Sequence, residues 1–432
     1  MFRFLLLSAL AGLFSSAWAG SDSTATIRVG KFWVMGNDQT DSWVIERELP
    51  FRYGDLITED ELEFTRARIE ATGLFNRVVI VKRPGIPVGY TDLEIQVTET
   101  FYLYPVPVFD FVGGRFSDIN YGGGLIHRNF RGNAEILGFT GWLGYSPGFS
   151  FYYENPWIGG KSRHFLSAEI SRYSAPSRTM TWASFDEYWW KLNLFVKKYT
   201  NRYFYLGLGL SENHIRLATA EPVNGNGPTE FWFFAPYLEA SYDSRDFPAY
   251  AHRGMLAKLR VTKNGISNPD INNWMVAVDG RYFLRLAERQ AIGFNSAHLV
   301  TIGSPEVFQY NYLGYENRLR GYFYDVVESK NLTLTQVEYR FPVSKIWYIN
   351  PGLANSTTGQ ATENLKFGFS GTLFAAHAIS WDSPDNVSVR NTRSGYGAGL
   401  NIIVPYLEAI RLEAAFNDKG TFNAVFALGV SF

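Results

Sequence analysis

The chain has 432 residues, 40 Lys and Arg against 41 Asp and Glu for a formal net charge of −1, no cysteine, and 17% aromatic residues. Such a balance is a poor match for nucleic acid, whose phosphates call for a basic excess on one face. Without cysteine there is no disulfide framework, thiolate metal site, cysteine nucleophile or cysteine lipidation.

At the N-terminus Arg3 precedes the apolar run Phe4 to Phe14, and Ala17-Trp18-Ala19 supplies a small-x-small cleavage site. Residues 1–19 read as a secretory signal peptide, which makes the mature protein an exported one. Beyond it, no apolar stretch approaches the roughly 18 to 20 residues that a membrane helix needs.

Residues 24–99 alternate between strand-like and helix-like periods in the order β-α-α-β-β. Ile27 to Met35 is a β-rich run ended by Gly36-Asn37. Thr40 or Asp41 is placed to cap a short helix carrying Ile45 and Leu49, stopped by Pro50 and Gly54. Thr58 and Glu61 form a capping box ahead of Phe64, Ala67, Ala71 and Leu74 at helical spacing. Val78 to Lys82 is a short strand, and Leu93, Ile95 and Val97 alternate with Glu94, Gln96 and Thr98 in a half-buried one. With Gly36-Asn37, Gly54-Asp55, Gly73-Leu74-Phe75-Asn76 and Val97-Thr98-Glu99 in this order, the stretch resembles a POTRA domain, the periplasmic module of outer-membrane assembly and secretion barrels. Such a module offers a sheet edge to which an extended client strand can add. The plainer reading is a spacer, since exposed edges are normally protected.

From Phe101 onward, segments of about ten residues alternate in polarity, the pattern of a transmembrane β-barrel. Phe204, Leu206, Leu208 and Leu210 alternate with Tyr203, Tyr205, Gly207 and Gly209. Met255, Ala257, Leu259 and Val261 alternate with Leu256, Lys258, Arg260 and Thr262, and Trp274, Val276 and Val278 with Met275, Ala277 and Asp279. A Lys or Arg on the lipid face costs about 2–4 kcal/mol at midplane, so both cations of the second segment belong in the lumen. Residues 101–432 suffice for about 16 strands with their connections. The chain ends on Phe422 to Phe432, where Phe422, Phe426, Leu428, Val430 and Phe432 share a parity.

Several stretches carry a further resemblance: Gly124 to Gly132, Tyr153-Glu154-Asn155-Pro156-Trp157, Tyr242 to Pro248 with Arg253-Gly254, and Leu319-Arg320-Gly321-Tyr322 followed by Glu338-Tyr339-Arg340-Phe341-Pro342. Over nearly the whole mature chain they resemble the BamA/TamA superfamily of outer-membrane assembly and two-partner secretion proteins. The resemblance implies that Phe432 is the terminal aromatic by which such barrels are recognised for insertion. It also implies a loop latch of Arg320, Gly321 and Tyr322 folded back into the lumen, where Arg320 bonds carboxylates of the inner wall. A planar guanidinium makes bidentate bonds to carboxylate, which suits that role. Glu338 is the first choice of partner, because Gln336, Glu338 and Arg340 share the inward parity. One departure stands out: members usually carry an Asp after an aromatic on the next strand, and here Phe367-Gly368-Phe369-Ser370-Gly371 has Ser370. Either Glu338 carries the latch alone or the loop is held less tightly. A single POTRA-like domain is also fewer than most well-known members have.

Gly144-Tyr145-Ser146-Pro147-Gly148 matches the letters of a nucleophile elbow, but Pro147 and the strand-like Phe149 to Tyr153 make a hairpin where that motif needs a helix. The six His show no metal-ligand spacing. The expectation is therefore an antiparallel transmembrane barrel of about 16 strands with one periplasmic α+β domain, in a Gram-negative outer membrane. It has no catalytic residues, metal or cofactor. Its function is assembly or translocation of polypeptide. The partners are the lipid bilayer, an unfolded or extended periplasmic client and accessory periplasmic proteins, with no nucleic acid. The competing expectation is a passive porin or structural surface antigen.

Overall fold

The computed structural model describes residues 26–111, 118–158, 164–177, 179, 185–201, 203–218, 229–247, 250–313, 319–322, 327–350, 364–388, 391–404 and 410–428. Residues 1–19 and Phe432 lie outside the described residues.

Two sheets organise the chain. The first has the order β2-β1-β4-β3, built from β1 (Thr26–Met35), β2 (Leu56–Thr58), β3 (Phe75–Pro84) and β4 (Thr91–Glu99). β1 and β4 run parallel, while β2 and β3 are antiparallel to their neighbours. Helices α1 (Ser42–Glu46) and α2 (Glu59–Ala71) lie between these strands in the chain. Val44, Ile45, Ile69, Leu74, Val78, Ile95 and Val97 form one buried cluster, and Val29, Phe51, Ile57, Leu62 and Leu93 another. The capping box at Thr58 and Glu61 is complete, satisfying two otherwise orphaned amides. Two details differ from the sequence reading. β2 is an additional strand too short to show a period, and Asp41 caps α1 by position without a side-chain bond. α1 ends at Glu46, before Leu49.

The second sheet is antiparallel. It comprises β5 (Leu103–Phe111), β6 (Ile119–Phe130), β7 (Glu135–Gly144), β8 (Gly148–Ile158), β9 (His164–Pro176), β10 (Asp186–Tyr199), β11 (Phe204–Ala218), β12 (Glu230–Asp243), β13 (Gly254–Asn264), β14 (Asn272–Ala287) and β15 (Gln290–Ser304). It continues through β18 (Asn331–Pro342), β20 (Leu365–Trp381), β21 (Thr392–Ile403), β22 (Ile410–Asn417) and β23 (Phe422–Leu428). Short β19 (Trp347–Ile349) extends β18 along the same neighbour, so the described residues form sixteen strand positions. The strand order brings β23 beside β5. Outside the sheet, β16 (Asn311–Leu313) and β17 (Val327–Ser329) pair within the β15–β18 connection.

Period-two alternation gives this sheet two different faces. Leu206, Leu208, Leu238, Leu259, Trp274, Ile302 and Leu373 are exposed on the outer face, Leu208 at 66%. That apolar belt suits lipid rather than water. On the inner face Glu239 receives Arg260 at 2.7 Å and Lys258 at 3.2 Å, the parity expected from their segment. Tyr145-Ser146-Pro147 is the hairpin turn between β7 and β8. No helix among the described residues is long and apolar enough to cross a membrane.

Candidate functional site

The connection between β15 and β18 folds onto the inner face from the end remote from the first sheet. At its start a turn at Val307–Gln309 presses Phe308 against Trp189, Phe231 and Phe233, with centroids 5.7, 5.0 and 6.4 Å away. Gln309 accepts a bond from Asn273 at 2.7 Å. Further along, Leu313, Leu319 and Tyr322 are buried with Leu332 and Leu334 of β18 and Ala376 and Ala378 of β20. The connection is thus anchored on two separate parts of the inner wall by apolar contacts.

Arg320 lies within the second of these anchors, next to Leu319, and is 6% exposed. Its Nη1 donates to Glu338 Oε2 at 2.6 Å and to Glu413 Oε1 at 3.4 Å, and its guanidinium stands 3.8 Å from the Phe374 ring centroid. Burying a guanidinium costs several kcal/mol of hydration, which two carboxylates and an aromatic face offset. Gly321 has φ +95°, a left-handed conformation that favours glycine, and its carbonyl accepts from Asn423 at 2.8 Å. The Tyr322 phenol donates to Asp418 Oδ1. The residues singled out by sequence, Arg320, Gly321, Tyr322 and Glu338, therefore meet in one place.

Sequence reasoning missed Glu413 and Phe374. Glu413 is on β22 and 93 residues from Arg320, and its only local sign is that Arg411 and Glu413 alternate as inward residues with the outward Leu412 and Ala414. Ser370 is not near Arg320. It contacts the Tyr250 hydroxyl, which also accepts from Asn401 at 3.3 Å. Tyr250 and Ala251, from the β12–β13 connection, are themselves buried on the inner face, separated from Arg320 by Arg340 and Glu338. Arg340, fully buried, donates to the Ala251 carbonyl at 2.8 Å and lies between the Tyr250 and Phe283 rings at 4.7 and 4.9 Å.

A second contact region joins the two sheets. Thr40 Oγ1 meets the Tyr102 hydroxyl at 2.7 Å and accepts from Asn129 at 2.9 Å, while Asp41 N donates to the Gly132 carbonyl at 3.0 Å. Glu99 accepts from the Thr40 amide at 2.8 Å, fixing the chain after Gly36-Asn37. Arg47 stacks between Trp43 and Trp157 at 5.1 and 5.2 Å, and burial pulls its pKa below the usual arginine value. Glu135 ties Arg131 at 2.7 Å to Asn155 at 3.0 Å. The stretches ending in Gly132 and Trp157 thus meet at this joint.

Comparison with known proteins gives one family. A profile described as the Omp85 superfamily domain matches residues 129–432. No curated protein matches the chain. Among solved structures, CdiB from Escherichia coli aligns with TM-score 0.61 at 14% identity, over 94% of this chain and 76% of that one. CdiB from Acinetobacter baumannii aligns with TM-score 0.56 at 14% identity, over 94% and 74%. BamA from Haemophilus ducreyi, in a form lacking POTRA domains 1–3, aligns with TM-score 0.54 at 16% identity, over 93% and 83%.

Proposed function

Because the chain belongs to the Omp85 superfamily, we propose that it is an outer-membrane pore for polypeptide assembly or secretion, fed by an extended client from the periplasm. On this reading residues 1–19 are removed on export, residues 24–99 are a POTRA-like periplasmic domain, and residues 101–432 close into a transmembrane barrel with β23 against β5. The barrel sits in a Gram-negative outer membrane, with Phe432 as its insertion signal. A strand of client adds to β3, an edge strand of the first sheet, by main-chain pairing, and accessory periplasmic proteins dock on the same domain. The pore works without cofactor or catalytic group.

The observation that supports client handling is the buried Arg320, held by Glu338 and Glu413 across the inner wall. A passive porin gains nothing from closing its own channel with a polar latch that costs hydration energy. In the proposed cycle the extracellular loop carrying Arg320 shuts the resting lumen and moves aside for the client.

The test compares outer-membrane, periplasmic and secreted proteomes of the parent strain with those of a deletion strain. Loss of one or a few surface or secreted proteins, with periplasmic build-up, supports secretion and names the client. Broad loss of barrels supports assembly. Unchanged fractions overturn both and return the passive pore or surface antigen.

A further inference from the structure

Each carboxylate that receives Arg320 already has an arginine of its own. On β18, Arg340 Nε donates to Glu338 Oε1 at 2.8 Å, leaving Oε2 for Arg320. On β22, Arg411 Nε stands 3.2 Å from Glu413 Oε1, the same oxygen that Arg320 approaches at 3.4 Å. In both cases the resident arginine is two positions away on the same strand, and so on the same face. All of these side chains are at least nine-tenths buried except Arg411, at 13% exposed.

Charge counting then separates two states. With the loop seated, three guanidinium groups share two carboxylates. With it withdrawn, these two arginines and two glutamates remain in ion-pair range of each other, at 2.8 Å on β18 and 3.2 Å on β22. Arg320 is also incompletely satisfied where it sits, since its Nε and Nη2 are buried without hydrogen-bond partners. A buried donor left unmatched has lost its water without a replacement, which disfavours the seated state. An ordinary buried ion pair behaves oppositely: removing one partner strands the other as an uncompensated buried charge. Here withdrawal leaves Glu338 hydrogen-bonded to Arg340, and leaves Glu413, whose Oε2 has no hydrogen-bond partner, neutralised by the charge of Arg411 at 3.2 Å.

We propose that the Arg320 latch is built for release: Arg340 and Arg411 keep Glu338 and Glu413 paired when the loop leaves, so that opening does not expose bare carboxylates. Arg340 is held in that role by the Ala251 carbonyl and by the Tyr250 and Phe283 rings, which fix it whether or not Arg320 is present. Arg340 and Arg411 are positioning residues that set how readily the loop opens. The inference deepens the pore reading and takes its purpose from it, but its test requires no client, so the two fail separately.

The chain has no cysteine, which makes a single introduced thiol a clean reporter. Leu319→Cys places it beside Arg320 at a site where the native side chain is 1% exposed. The full-length protein in detergent is treated with a bulky maleimide, and the labelling rate reads loop opening. Arg340→Met with Arg411→Met leaves Arg320 to neutralise two buried carboxylates that have lost their resident arginines, and labelling is expected to slow at least about tenfold. Adding Arg320→Ala to that pair is expected to abolish the heat-stable folded form, whereas Arg320→Ala alone retains it. In a Glu338→Gln and Glu413→Gln background the two Arg→Met changes are expected to stop slowing the label. Labelling that is unchanged or faster in the Arg340→Met, Arg411→Met protein overturns the proposal. If that protein does not fold, Arg411→Met alone carries the comparison, with slower labelling expected and unchanged or faster labelling again overturning it.

Discussion

A Cβ added to Gly395 would stand 1.8 Å from the carbonyl oxygen of Arg320. The bare backbone of β21 is what allows the loop tip to lie against the wall, because 1.8 Å is far inside van der Waals contact with a main-chain atom that cannot swing away. Gly395→Ala should therefore displace the tip while the strands stay paired. The expected outcome is faster protease cleavage in the β15–β18 connection with an unchanged heat-stable barrel. Cleavage at the parental rate would show that the close approach does not seat the loop.

The two acceptors of Arg320 are unequal, with Glu338 at 2.6 Å and Glu413 at 3.4 Å. Glu338 also holds Arg340, so Glu338→Gln weakens two buried arginines at once. Its cost should be about 3–5 kcal/mol, and that of Glu413→Gln smaller. The temperature at which the folded form is lost on heating ranks them. A larger drop for Glu413→Gln would reverse the assignment of the principal partner.

Asn129 uses both ends of its amide at the joint, donating across to Thr40 Oγ1 at 2.9 Å and accepting from the Ala134 amide of its own β6–β7 turn at 2.8 Å. Asn129→Ala leaves buried polar groups unmatched at about 1–3 kcal/mol. Amide exchange should quicken at residues 39–41 and at Ala134, while β10–β15 stay protected. Unaltered exchange at these positions would mean that the Asn129 bonds do not hold the joint.

Thr58→Ala removes one half of a capping box whose other half is Glu61. The loss should be about 1 kcal/mol, confined to α2. Faster exchange in the first turn of α2 checks it, and Thr58→Ser should restore protection. An effect reaching the second sheet would show that the two units unfold together.

Much of this architecture follows from local pattern. The outward Leu206, Leu208 and Leu210, the inward Lys258 and Arg260 and the inward Glu338 are all legible, because strand geometry sends alternate side chains to opposite faces whatever the rest of the chain does. The capping box is equally local, spanning four residues. Three-residue β2 is not, since its existence depends on pairing with Thr26–Arg28.

The composition of the latch required tertiary structure. Parity says that Glu338, Arg340, Arg411 and Glu413 face inward, but which inward residues share a level depends on the register accumulated through every strand pair. That register brings Glu413 to Arg320 across 93 residues and puts Tyr250, not Arg320, beside Ser370. A missing carboxylate at Ser370 therefore looks like a weakened latch in sequence, while in space a different carboxylate takes the bond. Alternation is a property of single strands and can be read along the chain. Charge balance inside the wall is a property of the assembled sheet, and only folding decides which charges meet.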